Sequence, residues 1–200
     1  MRPLVRASAP RGYTELVQEL GENPEPLLRR FNIDPNRLED LAYLIFFHSL
    51  MQLLETTADA LQCPDFGLRL SKKQNMETLG PIAIMARTSS TVGDALFCIA
   101  RYISHHSPAI TLALDDTSAP QFPRIMLDIN VADYPYRHQT TEMSIGLMAN
   151  VHAMLTEHRK KPEAVLFRHS RALDVKSYRR HFGCPVLFNQ ECNALVLTPE

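Results

Sequence analysis

The longest apolar runs of the chain have the three- and four-residue spacing of buried helices. One run extends from Leu41 to Leu61 and predicts a single long helix. A second extends from about Arg137 to His158 and carries apolar side chains nearly all round. A helix with so broad an apolar surface contacts more than one neighbour. We therefore expect the second helix to be one of the most deeply buried.

Capping residues and prolines mark the starts of shorter elements. Asn23 and Asp34 each precede a proline, and their side chains accept hydrogen bonds from the first free N–H groups of a helix. Thr91, with Asp94 three residues later, forms a weak capping box for a helix that runs to about His106. Further short elements are predicted at 14–20, at 66–70 and from Pro81 to Ala86.

The period of the pattern changes to two after residue 109. Ile110, Leu112 and Leu114 alternate with small residues, and the apolar positions of 125–131 alternate with polar ones. Two such runs around the loop 115–123 predict an antiparallel pair with one solvated face. Further short strands are predicted at 164–168, 186–188 and 194–197, and Asp174 and Gly183 bound a short helix before the last two.

The elements follow one another as helices first and then β-β-α-β-α-β-β. This order predicts an α+β fold, in which a helical N-terminal half is followed by a small antiparallel sheet packed on buried helices. The 200 residues and the apolar content of 45% suit one domain over residues 1–200.

Composition narrows the class of protein. The formal net charge of −1 provides no general attraction to nucleic acid or to anionic lipid. Apolar runs fall short of the roughly 18–20 residues that span a bilayer, and the N-terminus lacks the apolar block of a signal peptide. Four sparse cysteines favour reduced thiols. We expect a cytoplasmic domain without a membrane partner.

Charge is unevenly distributed in one segment. Residues 159–181 contain eight lysines or arginines against two acids. One interpretation is a solvated surface. The other is a basic edge that lies beside a DNA-binding domain and helps it meet DNA or a partner subunit.

Short motifs of caps, turns and core positions occur along nearly the whole chain. Residues 178–197 read Y-x-x-x-F-G-x-P-V-x-F-x-x-x-x-N-x-L-x-L, and the N-terminal part contains R-G-Y-x-E-L-V-x-E-L-G and P-x-x-L-L-R-R-F-x-I-D-P. Between them lie Cys63–Leu70, Leu79-Gly-Pro81, S-x-T-x-G-x-A-L at 89–96, and Arg101-Tyr102. Together these motifs resemble the effector domain, of the non-cupin, arabinose-binding-domain type, in a subgroup of bacterial AraC-family transcription regulators.

This resemblance implies a sensory domain that binds a small-molecule effector and changes the activity of the whole regulator. It also implies a C-terminal helix-turn-helix domain that is absent from these 200 residues, so DNA is a partner only through that domain. Regulators of this family often act as dimers, which makes a homodimer possible here. The motifs identify a scaffold and leave the effector open.

A sensor requires a mostly apolar pocket with a few convergent polar groups. We expect this pocket between the 91–106 helix, the 137–158 helix and the sheet. The candidate polar contacts are Tyr102, His106, Arg137 and Glu142, and the apolar ones are Met85, Ile103 and Met148. A simpler interpretation is that His106 favours the dipole at a helix end and that the methionines fill the core.

Other functional classes have weaker support. Histidines and cysteines show no convincing chelate spacing, and the motifs of hydrolases, metalloproteases and phosphate-binding loops are missing. We therefore expect neither a cofactor nor an enzyme. A haem-based gas sensor is the first alternative, since Tyr102–His106 is similar to the Y-x-S-x-R propionate anchor of that class, although the arginine is missing. A small enzyme is the second and less favoured alternative.

Overall fold

The structure is a computed structural model that describes residues 2–38, 40, 42–116, 121–132 and 137–198. The helices are α1 (Tyr13–Glu19), α2 (Pro24–Arg30), α3 (Phe47–Ala60), α4 (Phe66–Ser71), α5 (Pro81–Arg87), α6 (Val92–Tyr102), α7 (His138–Leu155) and α8 (Val175–Phe182). The strands are β1 (Leu4–Arg6), β2 (Leu44–Phe46), β3 (Ile110–Asp115), β4 (Arg124–Ile129), β5 (Ala164–Leu166), β6 (Val186–Leu187) and β7 (Asn193–Val196). Short 3-10 turns lie at Pro35–Arg37, Met76–Leu79 and Ile103–His105. The α+β class predicted from the sequence is confirmed.

Local capping signals set the predicted helix ends. Thr91 Oγ1 accepts a hydrogen bond of 3.0 Å from the N–H of Asp94, and Asp174 Oδ1 accepts one of 3.1 Å from the N–H of Ser177. Gly183 ends α8 with φ 71°, a left-handed conformation that suits glycine. Asn23 and Asp34 cap their elements through side-chain oxygens in the same way.

The prediction of one helix from Leu41 to Leu61 is wrong at its start. Leu41 lies outside the described residues, 44–46 form β2, and the helix begins at Phe47. Strand β2 pairs antiparallel with β1, so that Val5 lies opposite Ile45, and both side chains are buried. Periodicity within a short window does not reveal a partner so distant in sequence, and tertiary pairing overrides local helical preference here.

The second sheet has the strand order β3-β4-β7-β5-β6. The predicted pair β3–β4 is antiparallel, with Leu112 opposite Leu127. The last strand, β7, pairs antiparallel with both β4 and β5. Strand β6 joins the edge in parallel with β5, so this sheet is mixed rather than purely antiparallel.

Helix α7 contacts the core on three sides. Met143 belongs to the cluster of the N-terminal helices, Ile145 to the cluster of the sheet and α8, and Val151 to the cluster of α5 and α6. These contacts explain why its apolar residues are distributed all round. Neither α7 nor any other helix in the described ranges is long and apolar enough to cross a bilayer.

Two glycines allow α4 and α7 to approach closely. A Cβ at Gly67 would lie 2.1 Å from the carbonyl oxygen of Gln139, and a Cβ at Gly146 would lie 2.1 Å from Ser71 Oγ. The Gly67 N–H also donates a hydrogen bond of 2.7 Å to Gln139 Oε1. This contact fixes α7 from behind, so that its opposite face is held over β3 and β4.

Candidate functional site

A central cavity of about 70 Å³ lies between α6, α7 and the inner face of β3 and β4. Its wall is closed on the remaining sides by β1, by the start of α3 and by the turn 76–79. The lining is mostly aliphatic and includes Leu96, Ile99, Ile110, Leu127, Met143 and Leu147. The cavity lies where the sequence predicted a pocket, between α6, α7 and the sheet.

Three buried polar atoms in this wall lack a hydrogen-bond partner among the described residues. They are Thr78 Oγ1, His106 Nδ1 and Thr140 Oγ1, and all three residues line the cavity. Buried polar groups in native proteins are nearly always paired, because an unpaired one costs about 1–3 kcal/mol. Such atoms around an apolar space are the expected signature of a site that hydrogen-bonds a ligand.

His106 enters this wall because a 3-10 turn follows α6. The backbone N–H of His106 donates to the backbone carbonyl of Ile103 at 2.9 Å. The backbone carbonyl of His106 accepts the N–H of Arg6 in β1 at 3.2 Å. Burial lowers the pKa of His106 to about 4, and the nearby charge of Arg6 contributes to this shift. The imidazole is therefore neutral at physiological pH, and it offers one donor and one acceptor rather than a charge.

The structure places the seven predicted contact residues in different environments. Ile103, His106 and Met148 line the cavity. Met85 is 39% exposed on α5. The ring of Tyr102 stacks edge-on against His105, with centroids 5.9 Å apart. The role of these residues in binding stays a prediction.

Arg137 and Glu142 point toward partners other than the cavity. The Arg137 guanidinium donates to the carbonyl of Ile129 at 3.1 Å and also to the carbonyl of Val131. Glu142 Oε1 accepts the hydroxyl of Tyr178 at 2.7 Å, on the side of α7 that faces α8. Burial raises the pKa of Glu142 to about 8, and the nearby Glu55 adds to the shift.

Sequence reasoning missed three polar residues of the wall, Thr78, Thr140 and Ser144. A signal existed for Thr140, because it lies one turn before Met143 on the apolar stripe that continues to Leu147 and Val151. Thr78 lies in a 3-10 turn without any periodic pattern. Only the folded chain brings this turn against α7.

The thiols and the histidines do not form an obvious chemical centre. In the part of the chain that the structure describes, no group of three or more metal-ligating side chains comes together. Burial raises the pKa of Cys63 and Cys184 to about 11, which keeps both thiols protonated and unreactive. Ser71 Oγ lies 3.2 Å from His181 Nε2 but also donates to the carbonyl of Leu68 at 2.8 Å.

Comparison with known proteins gives a consistent result. The family model described as the arabinose-binding domain of AraC transcription regulators, N-terminal, matches residues 21–200. The HTH-type transcriptional regulator VirS of Mycobacterium tuberculosis, found in two strains, is 36% identical over 187 residues, which are 94% of this chain and 55% of that protein. This chain thus spans about half the length of the curated relatives that it matches.

A solved structure supports the fold. The crystal structure of the transcriptional regulator CdpR from Pseudomonas aeruginosa superposes with a TM-score of 0.59 and 19% identity, covering 88% of this chain and 53% of that one. At this identity the likeness concerns the fold alone. The match of the family model over most of the chain carries the assignment: the chain belongs to the family of N-terminal arabinose-binding domains of AraC transcription regulators.

Proposed function

We propose that this domain binds a small-molecule effector in the central cavity and that binding modulates DNA binding or transcription activation by the helix-turn-helix domain of the complete regulator. The family supports a regulatory ligand-binding role. The observation that carries the proposal is the meeting of Thr78 Oγ1, His106 Nδ1 and Thr140 Oγ1, all buried and unpaired within the described residues, around one apolar space.

The lining defines the chemistry of the effector. Among the described residues, the cavity wall contains no acidic or basic side chain apart from His106, which is neutral. A charged ligand would lose its hydration without a counter-charge, which is costly in an apolar site. We therefore infer that the part of the effector inside the cavity is uncharged and largely apolar, with one or two hydrogen-bonding groups. A free sugar fits poorly, because most of its hydroxyls would lie unpaired against aliphatic side chains.

The cavity is small enough that a larger ligand has to displace side chains. Met143 and Met148 line it, and methionine adapts its shape more easily than branched residues do. Ligand binding that moves these side chains changes the packing of α7 against its neighbours. A ligand shifts a regulator only if it binds one arrangement more tightly than the other, and α7 connects all three core clusters.

Three expectations about the complete protein belong to this proposal. The domain alone should bind duplex DNA weakly, since its net charge is −1. The complete regulator should act in the cytoplasm. Modest self-association has a candidate surface, because Ile84 on α5 and Phe97 on α6 are 70% and 58% exposed. Sedimentation of the wild type and of Phe97→Glu tests that surface.

The proposal is tested by a thermal-shift screen of apolar metabolites against the domain. Ligands that bind the folded form alone raise the melting temperature by mass action. A hit should lose affinity by about tenfold in Thr140→Val, because one hydrogen bond is removed at constant shape. Ser90→Ala, which alters an exposed serine outside the cavity lining, serves as the control. Hits that bind Thr140→Val and wild type equally would place the site elsewhere.

A further inference from the structure

A second and more open pocket of about 540 Å³ lies beside the central cavity. It is walled by the start of α6, by the end of α7 and by the outer ends of β3 and β4, together with the residues that follow β7. Leu114, Leu155 and Leu197 provide its apolar part. We call it the outer pocket.

The two spaces share their walls. On α7, Val151 lines the cavity and His152 lines the outer pocket. On β4, Ile125 lines the cavity and Arg124 lines the outer pocket. Among the described residues, Leu96 of α6 is common to both linings. The two spaces are therefore adjacent along α6 and α7, with Leu96 at their junction, and we refer to them together as the slot.

The lining of the outer pocket also contains polar atoms without a hydrogen-bond partner among the described residues. Arg124 Nε, His152 Nδ1 and Thr198 Oγ1 are buried, have no hydrogen-bond partner in the described ranges, and belong to residues of its lining. The Nη2 of Arg124 is already engaged with Asp115 Oδ2 at 2.8 Å, so Nε is the donor left over. Because Arg Nε can only donate, its missing partner is an acceptor.

Charge does not select the ligand at this pocket. Its lining carries three acids, Asp115, Asp116 and Glu157, and three bases, Arg124, Arg159 and Lys160. Among the described lining residues the formal charges balance, so the pocket has no excess charge of one sign. Recognition there depends on hydrogen bonds to an oxygen acceptor.

We propose that the cavity and the outer pocket form one site for a long amphipathic effector. Its mostly apolar chain passes Leu96 into the central cavity and carries a hydrogen-bonding group that reaches Thr78, His106 or Thr140, and its polar end places a carbonyl or carboxyl oxygen on Arg124 Nε and Thr198 Oγ1. This proposal rests on the proposed function, since it extends the same effector site outward.

The dimensions fit a chain rather than a compact metabolite. Thr140 and Leu155 lie at the inner and outer ends of the slot on α7, and fifteen helical residues at 1.5 Å each separate them by about 22 Å. The polar end also contacts Thr198, which follows β7. In this family the matched domain is N-terminal, so that contact adjoins the segment leading toward the rest of a regulator.

The test measures binding of straight-chain carboxylates from octanoate to tetradecanoate, and of their methyl esters, by calorimetry below the micellar concentration. Toluene is the short apolar probe for the cavity alone. The variants are Arg124→Lys, which keeps the charge beside Asp115, and Thr198→Val. Arg168→Lys is the matched control, because the guanidinium of Arg168 also pairs with a carboxylate, that of Asp128, at 2.9 Å on the surface.

The proposal predicts that affinity rises with chain length, by up to about fourfold per methylene. It also predicts that Arg124→Lys and Thr198→Val each weaken the long probes about tenfold, while toluene binding is unchanged. The preference between carboxylate and ester then shows which oxygen the site selects.

Other outcomes overturn it in distinguishable ways. If both outer variants bind the long probes like wild type, while Ser144→Leu, which places a larger side chain in the cavity lining, weakens toluene and the long probes, the effector is confined to the central cavity. The two-chamber site then fails and the proposed function stands. If Ser144→Leu affects neither probe, or if nothing binds, the central site fails as well, and with it this extension.

Discussion

The hydroxyl of Tyr178 in α8 donates a hydrogen bond of 2.7 Å to Glu142 Oε1 in α7. The other oxygen, Glu142 Oε2, is buried and has no partner among the described residues. Because burial raises the pKa of Glu142 to about 8, this glutamate is protonated at neutral pH in the folded domain. It joins two helices as a neutral group and carries no charge into the core.

Glu142→Gln should stabilise the domain increasingly as the pH rises. The folded-state pKa of about 8 lies above the ordinary 4.5, so the unfolded wild type releases a proton that the folded wild type retains. Wild-type stability therefore falls between pH 4.5 and 8, and glutamine abolishes this loss. The free energy of unfolding from urea titrations should favour the variant by about 2–4 kcal/mol more at pH 8 than at pH 5. Glu25→Gln, on the exposed surface, should show no such trend, and a pH-independent difference for Glu142→Gln would contradict the assignment.

His106→Leu should make the domain less sensitive to acid. The folded-state pKa of about 4 lies below the ordinary 6.5, so the unfolded chain binds a proton in this window that the folded chain does not. Stability is complete above pH 6.5 and is lost as the pH falls toward 4, by about 2–3 kcal/mol from this residue. Leucine removes that share of the loss. If the variant and the wild type lost the same free energy of unfolding between pH 6.5 and pH 4, the pKa of His106 would not be lowered by folding.

Thr140→Val should raise the stability of the ligand-free domain by about 1 kcal/mol. Its hydroxyl is buried without a partner among the described residues, and replacing an unpaired hydroxyl by a methyl group of similar shape removes a desolvation cost. Thr57→Val is the matched control. Thr57 Oγ1 pairs with the hydroxyl of Tyr13 at 2.8 Å, so this variant should lose about 1–2 kcal/mol. Equal losses in the two variants would mean that Thr140 serves the fold and not a ligand.

Gly146→Ala should destabilise the domain by about 1–3 kcal/mol, because overpacking forces helices apart. A Cβ there would lie 2.1 Å from Ser71 Oγ. Gly93→Ala is the control, since its nearest neighbour would be Thr91 Oγ1 at 3.8 Å. Alanine at this helical position should stabilise by about 0.5–1 kcal/mol. A neutral result at Gly146 would show that α4 and α7 separate more easily than their contact suggests.

Local chemistry made much of the fold predictable. The caps at Thr91 and Asp174 and the alternation in β3 and β4 act within a few residues, and each predicted its element. Strand β2 was missed because its partner, β1, lies far away in sequence. The same limit hid the position of β7 between β4 and β5.

The candidate site was less predictable than the fold. Its location between two buried helices and the sheet followed from periodicity, and so did the placement of Ile103 and Met148. Glu142 has the polarity of a ligand contact, but it accepts a hydrogen bond from Tyr178 on α8, a helix that is distant in sequence. Thr78 reaches the cavity from a turn that only the tertiary fold brings there.

The central claim is that the cavity between α6, α7 and the sheet accepts a ligand. The most direct test is a toluene titration followed by the ¹³C-methyl signals of the methionines. We predict that the signals of Met143 and Met148, which line the cavity, shift together and saturate, while Met85 on the exposed face of α5 does not move. Saturable binding that leaves Met143 and Met148 unmoved, or no binding, would contradict the account.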